Sequence, residues 1–176
     1  MDEKRALLQH FLAALAYRTQ KALRGAPKEF GFFRAAEGVR TPIELVRHMT
    51  SVLGYARTVF IGGRYWPEPF QTLEEEIVRF HEMINSLATH LEARSPLLEQ
   101  MTLEQLLQGP FSDAMTHAGQ LAMLRRLAGS PIPPENFIVA NINAQRFGPD
   151  QPEPVSPDEI WPEAPEGWVP PSKSKS

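Results

Sequence analysis

Two segments of the chain begin with the same helix-start signal, and this signal restricts the fold more than any other feature of the sequence. In Thr41-Pro42-Ile43-Glu44 and in Thr72-Leu73-Glu74-Glu75, a threonine is followed three residues later by a glutamate. The threonine side chain can then accept from the backbone N–H of the glutamate, and the glutamate side chain from the backbone N–H of the threonine. This is the capping-box arrangement at a helix N-terminus. In the first segment Pro42 suits the first helical position, where its missing N–H is not needed. We predict helices over 41–61 and over 72–94.

Two further segments are typical of helices. Residues 2–24 have apolar side chains at helical spacing, and the helix that they predict is ended by Gly25 and Pro27. Another long helix is predicted to open at Pro110 and to end at Gly129. Since no strand-like alternation lies between the four helices, the sequence predicts an all-α fold, an up-down four-helix bundle.

The segments between these helices are less regular. Residues 28–40 carry Phe30, Phe32 and Phe33 without a clean period, which indicates a connection that packs aromatic side chains against the bundle. Residues 102–108 are compatible with a short helical turn of their own. Both segments are predicted to connect long helices.

The composition changes after Gly129. Eleven of the 17 prolines lie between Pro131 and Pro171, so regular structure there must be short. We predict a bundle over 1–130 and a Pro-rich, mostly irregular C-terminal extension over 131–176, partly packed on the bundle and disordered in its last residues. The apolar side chains expected to anchor it are Phe137, Ile138, Val139, Ile142, Trp161 and Trp168.

Charge and cysteine content exclude several functions. The formal net charge of -3 gives no attraction for phosphate backbones, so a nucleic-acid partner is not expected. The chain has no cysteine, and any metal would need nitrogen and oxygen ligands. We expect no membrane insertion, since no apolar run approaches the length of a span, and no signal peptide. A cytoplasmic location follows as an expectation.

One pair of residues points to metal chemistry. Asp113 and His117 are four residues apart on a predicted helix and therefore share one face. His48 lies in an apolar row of the second helix, at a position where a structural residue would be apolar, and is the best candidate for a third ligand. Two imidazoles and a carboxylate suit Zn, Ni, Mn or Fe(II) and leave coordination positions for water or substrate. By spacing alone the signal is weak, because Asp-x-x-x-His pairs also occur on helix surfaces.

The sequence around these residues resembles a known family. The run Asp113-Ala114-Met115-Thr116-His117-Ala118-Gly119-Gln120-Leu121 is similar to the last-helix signature of the DinB/YfiT-like superfamily, in which a His-x-x-x-His pair precedes Gly-Gln. Val46-Arg47-His48-Met49 resembles the place where that family has its first metal histidine. The similarity covers roughly residues 1 to 130. It implies that His48 and His117 match histidine ligands and that Asp113 replaces the other histidine.

The resemblance also implies a function. DinB/YfiT-like proteins include metal-dependent transferases and isomerases that use low-molecular-weight thiols, with some hydrolase-like members. It implies a divalent metal as cofactor, a small-molecule substrate, often a thiol, and a homodimer. One departure is that Ala118 stands where relatives often have an arginine.

Two alternatives remain open. A non-catalytic bundle could use the metal or the C-terminal extension for assembly, in which case the extension would close the open coordination position. The same ligand set also describes the facial triad of non-haem Fe(II) oxygenases.

Residues around the metal ligands have more ordinary interpretations. Tyr55 is expected to pack in the core, although it shares the row of His48, and His81 could approach the site if it points inward. Gly119 is expected to allow close helix approach, and Gln120 to orient a ligand. Arg125 and Arg126 are interpreted as structural partners of a helix C-terminus.

Overall fold

The computed structural model describes residues 2–98 and 101–168 and is all-helical in this part of the chain. The helices are α1 (Glu3–Leu23), α2 (Pro42–Ile61), α3 (Leu73–Glu92), α4 (Leu103–Leu106) and α5 (Ser112–Leu127), with 3-10 turns at Lys28–Phe32 and Phe137–Val139. These residues contain no β-strand, only one isolated antiparallel bridge between Glu135 and Pro157. The predicted all-α class is confirmed.

Both predicted capping boxes are present. The Thr41 hydroxyl accepts from the Glu44 backbone N–H, and the Glu44 carboxylate accepts from the Thr41 backbone N–H at 2.8 Å. Thr72 and Glu75 form the same pair at the start of α3. The sequence therefore located the starts of both helices correctly.

The helices pack in a ring in which α1 contacts α3 and α5, and α2 also contacts α3 and α5. Consecutive helices α1 and α2 are not close neighbours, so the order differs from a bundle in which each helix packs on its successor. The long connection between Leu23 and Pro42 spans this distance. As a result α2 and α5 lie side by side, and they carry the candidate ligands.

A single apolar core fills the ring. Its largest members are fully or almost fully buried, and each contributes about 1.5–3 kcal/mol of transfer free energy. They include Leu12, Leu53, Phe80, Leu87 and Leu121.

The prediction that Pro110 opens a helix is wrong. Helix α4 begins at Leu103 after a Thr102 capping box, and a π-helical turn, Leu107–Phe111, joins it to α5 without a break. Pro110 is tolerated inside this turn because the wider winding of a π-turn relaxes the α-helical bonding pattern that proline disrupts. The Ser112 hydroxyl donates to the Leu107 carbonyl at 2.6 Å. The π-turn comes directly before the helix that carries Asp113.

A buried carboxylate links α2 to α3. Glu76 is fully buried, and it accepts from Arg47 Nε at 2.7 Å and from an Arg79 guanidinium nitrogen at 2.8 Å. The Phe70 backbone N–H donates to the same carboxylate. These bonds fix Arg47, the residue before His48, against α3.

The aromatic connection is only partly as predicted. Phe30 is buried and Phe33 packs against the core, but Phe32 is 65% exposed. The 3-10 turn points successive side chains in different directions, which is why three close phenylalanines do not all reach the core.

The C-terminal extension is bonded to α1, to α3 and, through the ion pair of Arg126 with Glu163, to the end of α5. The Tyr17 hydroxyl donates to Glu135 at 2.7 Å, and Nδ1–H of His81 donates to the Phe147 carbonyl at 2.7 Å. Of the expected anchors Trp161 is buried, whereas Ile138 is 94% exposed. The predicted disorder of the last residues lies outside the described part of the chain.

Arg125 has the structural role expected of it. Its buried guanidinium donates to the carbonyls of Ala22 and Arg24 at the end of α1 and to Ser130 at the end of α5. No helix among the described residues is long and apolar enough to cross a membrane.

Candidate metal centre

The three predicted ligands come together where α2 faces α5. His48 Nε2 lies 3.8 Å from one carboxylate oxygen of Asp113, and His117 Nε2 lies 3.4 Å from the other. The two imidazole rings are 4.8 Å apart between centroids. One ligand atom from each residue can be chosen so that all three lie within 4.8 Å of one another. Two residues from one helix therefore meet one residue from a helix distant in sequence.

These distances suit a shared ion. Two ligands bound to one ion at about 2.0–2.2 Å are at most about 4.4 Å apart. The two separations from Asp113, 3.8 and 3.4 Å, lie below this limit, and no separation at the site exceeds it by more than a few tenths of an ångström, so small side-chain rotations would complete the coordination. The donor set is also appropriate, because two neutral imidazoles supply nitrogen lone pairs and one carboxylate offsets part of the cation's charge. The group could hold a divalent metal ion.

Hydrogen bonding orients one of the imidazoles. His117 is mostly buried, and its Nδ1–H donates to the Gln120 side-chain oxygen at 2.8 Å. The proton on Nδ1 leaves the lone pair on Nε2, the nitrogen that faces Asp113. Gln120 therefore makes the contact predicted for it, and it fixes the tautomer that a metal ligand needs.

Electrostatics favour the neutral form of the other imidazole. Burial lowers the pKa of His48, and the nearby charges of Arg40 and His117 lower it further, against an opposing effect of Asp113. A neutral ring at neutral pH keeps its lone pair available for coordination.

Solvent reaches His48 and Asp113 through grooves that meet at His48. One of about 420 Å³ runs between the connection before α2 and α2 itself, one of about 720 Å³ runs to the π-turn and Asp113, and one of about 810 Å³ runs toward the loop after α2. Ser51, one turn after His48, lines all three. No described residue of the C-terminal extension lines any of them, so His48 and Asp113 face open space, whereas His117 is buried and lines none of the three.

Other residues singled out in the sequence lie elsewhere or differently. His81 is buried against the C-terminal extension, where it bonds the Phe147 carbonyl, and it does not join the ligands. Tyr55 is 59% exposed and lines two of the grooves, so the expectation of core packing is wrong. A Cβ on Gly119 would meet nothing within 4 Å, so this glycine does not serve close helix approach.

Sequence reasoning missed the residues of the connection that border the site. Arg34, Gly38 and Arg40 line the smallest of the three grooves together with His48. Nothing in the sequence pattern places this irregular segment beside α2. The position of Ser51 beside the site could have been predicted, because a residue three positions after His48 lies on the same face of the helix.

Comparison with known proteins gives no assignment: no protein-family model matches this chain, and neither a curated protein nor a solved structure matches it. The resemblance to the DinB/YfiT-like superfamily therefore stays a prediction, as do the homodimer and the cytoplasmic location.

Proposed function

We propose that this protein is a divalent-metal-dependent enzyme of the DinB/YfiT-like type that acts on a small molecule, as a thiol-dependent transferase or a hydrolase. The observation that carries the proposal is the juxtaposition of His48, Asp113 and His117, with His48 at the meeting point of open grooves and Asp113 lining one of them. A closed structural metal site would have its ligands shielded, whereas a catalytic site keeps positions free.

Each of the three ligand residues contributes differently to the proposed site. His117 is held in one tautomer by Gln120, while His48 presents a nitrogen from α2. Asp113 is 47% exposed and adds a negative charge on the groove side. A bound divalent cation would supply Lewis acidity, which lowers the pKa of a bound thiol or water toward neutral pH.

Asp113 also sets this chain apart from the three-histidine pattern that the resemblance implies. A carboxylate in place of an imidazole reduces the net charge of the loaded site by one. The acidity that the metal confers on a bound group is then expected to be weaker than with three neutral ligands.

The assembly alternative is less well supported. It needs the C-terminal extension to close the coordination position, but the described extension is bonded to α1, to α3 and to Arg126 near the end of α5, and it lines none of the grooves at His48. The Fe(II) oxygenase alternative keeps one supporting observation, the two-histidine, one-carboxylate set. Iron in aerobically purified protein together with oxygen uptake would favour it, and zinc or nickel without oxygen uptake would favour the first proposal.

The test is the metal content of the purified protein and of single variants. We expect about one equivalent of metal in the wild type and a loss of most of it in His48→Ala and in His117→Ala. His10→Ala is the matched control, because it removes an exposed imidazole from α1. If both site variants keep a full equivalent while folded, as judged by circular dichroism, the proposed site is wrong.

A further inference from the structure

The smallest of the three grooves is rich in arginine. It lies between the connection before α2 and the first three turns of α2, and it shares His48 with the other grooves. Arg34, Arg40 and Arg47 line it, with Glu44 as the one acidic residue of its lining. The groove therefore carries an excess of positive charge beside the candidate metal ligands.

Most of this charge is already paired. Arg47 donates to the buried Glu76 and to the Phe70 carbonyl. Arg34 donates to the Val39 carbonyl at 2.8 Å and pairs with Glu44 at 3.4 Å. Within the described residues these contacts account for two of the three guanidinium groups.

Arg40 is different, because no hydrogen bond or ion pair holds its guanidinium within the described part of the chain. Nor is it placed to stabilise α2. It precedes the helix N-terminus, where the helix dipole favours negative charge and disfavours a cation. Its five donors remain available to the groove, in a planar fork that matches a carboxylate, sulfonate or phosphate group.

The groove that runs from His48 toward the loop after α2 offers a comparison. Tyr55, Tyr65 and Trp66 line it, and of its two arginines Arg47 is shared with the arginine-rich groove and Arg64 is not. Arg64 likewise has no hydrogen bond or ion pair within the described residues, and it is exposed. It provides a matched unpaired arginine in a neighbouring but aromatic groove.

We infer that the small molecule processed at this site carries an anionic group, and that Arg40 is the residue that selects it. The inference rests on the proposed function, since the donor atom of that molecule would face His48, Asp113 and His117 while its anion lies in the arginine-lined groove. Arg40 thus distinguishes charged from neutral substrates, whereas Arg34 and Arg47 are already paired with Glu44 and Glu76.

The test uses the full chain loaded with Co(II), whose visible bands report metal binding and whose near-ultraviolet bands report a bound thiolate. The probes are mercaptopropanesulfonate and mercaptopropanol, which have the same thiol and carbon chain but end in a sulfonate and in a hydroxyl group. A sulfonate coordinates metals poorly, so both probes would bind the metal through the thiol. We expect the wild type to bind the sulfonate about fivefold or more tightly than the alcohol at low ionic strength. The preference should shrink as salt is added.

Three variants locate the source of the preference. Arg40→Gln should lose most of it without a change in the affinity for mercaptopropanol, and Arg40→Lys should keep a part of it. Arg64→Gln should keep all of it, because it removes the same charge from the other groove. Each variant should still bind Co(II), as judged by its visible bands.

The possible failures are distinguishable. Absence of the visible Co(II) bands would contradict the proposed metal site, and the inference would fail with it. Normal visible bands with no preference for the sulfonate, including the case in which neither thiol changes the spectrum, would overturn the inference alone. An equal loss of preference in Arg40→Gln and Arg64→Gln would also overturn it, because net charge and not the groove would then be responsible.

Discussion

At the scale of single residues, the bond between His117 and Gln120 determines how well the site is prepared for a metal. Nδ1–H donates to the Gln120 oxygen at 2.8 Å, so the ring is held with Nε2 toward Asp113. Without the acceptor, the ring would be free to exchange tautomers and to rotate. Loss of such a partner typically reduces metal affinity about 10- to 100-fold.

We therefore expect Gln120→Ala to weaken metal binding by about tenfold or more, measured by competition with a chelating dye. Gln120→Glu keeps an acceptor at the same position and should bind metal at least as well as the wild type. Equal affinity in Gln120→Ala and the wild type would mean that Gln120 has no part in orienting His117. Urea unfolding of both variants would establish that the fold is intact.

The site was partly predictable at this scale because its two closest ligands are close in sequence. The spacing of Asp113 and His117 fixes their common face, and the apolar row around His48 marks that histidine as unusual. The distance between α2 and α5 is a property of the packed bundle and appears nowhere in the local sequence. Arg40 was missed for the same reason, since it lies on an irregular connection.

At the scale of elements, helix starts were predictable and helix continuity was not. Capping boxes are local signals, so the starts of α2 and α3 are where the sequence places them. Pro110 is also a local signal, but the π-turn that accommodates it depends on how α4 and α5 pack as one helix. The grooves beside α2 likewise depend on packing. Tyr55 lines two of them and is exposed, although the sequence places it in an apolar row of α2.

Two helical glycines give a prediction at this scale, because they look alike in sequence and differ in surroundings. A Cβ on Gly54 in α2 would lie 2.0 Å from the Tyr65 ring, whereas a Cβ on Gly119 in α5 would meet nothing within 4 Å. Gly119→Ala should stabilise the fold by about 0.5–1 kcal/mol through lower backbone entropy of the unfolded chain. Gly54→Ala should destabilise it by about 1–2 kcal/mol, since the overlap with Tyr65 outweighs the same gain.

Urea unfolding measures both effects, and the opposite signs make the comparison its own control. Tyr65 fluorescence or its accessibility should also change in Gly54→Ala, because the ring has to leave its contact with α2. If Gly54→Ala were as stabilising as Gly119→Ala, the loop after α2 would not rest on this helix, and the groove that it forms with Tyr55 would be absent.

At the scale of the whole molecule, the C-terminal extension is joined to the bundle through buried polar groups. Burial raises the pKa of Tyr17, and the bond to Glu135 raises it further, so this hydroxyl remains a donor. His81 on α3 holds the extension at Phe147. Composition indicates that residues after Gly129 form little regular structure, but it does not identify Tyr17 or His81 as the points of attachment.

The attachment at His81 makes the stability of the molecule depend on pH. Burial lowers the pKa of His81 below the ordinary value of 6.5, against the smaller opposing effect of the Phe147 carbonyl. Below about pH 6.5 the unfolded chain therefore binds a proton that the folded protein does not, and the free energy of unfolding decreases as the pH falls toward the lowered pKa. Burial lowers the pKa of His48 and His90 as well, so they contribute in the same direction.

We expect His81→Gln to make this decrease shallower, because its amide can still donate to the Phe147 carbonyl but does not titrate. The measurement is the free energy of unfolding in urea at a series of pH values from neutral to mildly acidic, on metal-free protein, so that proton competition with a metal does not contribute. His10→Gln, which removes an exposed imidazole from α1, controls for the loss of one histidine. An unchanged slope in His81→Gln would show that His81 has the same pKa in the folded and in the unfolded chain, and its buried charge would then have to be stabilised by the Phe147 carbonyl and the Gln20 side chain, the two groups that hydrogen-bond the ring.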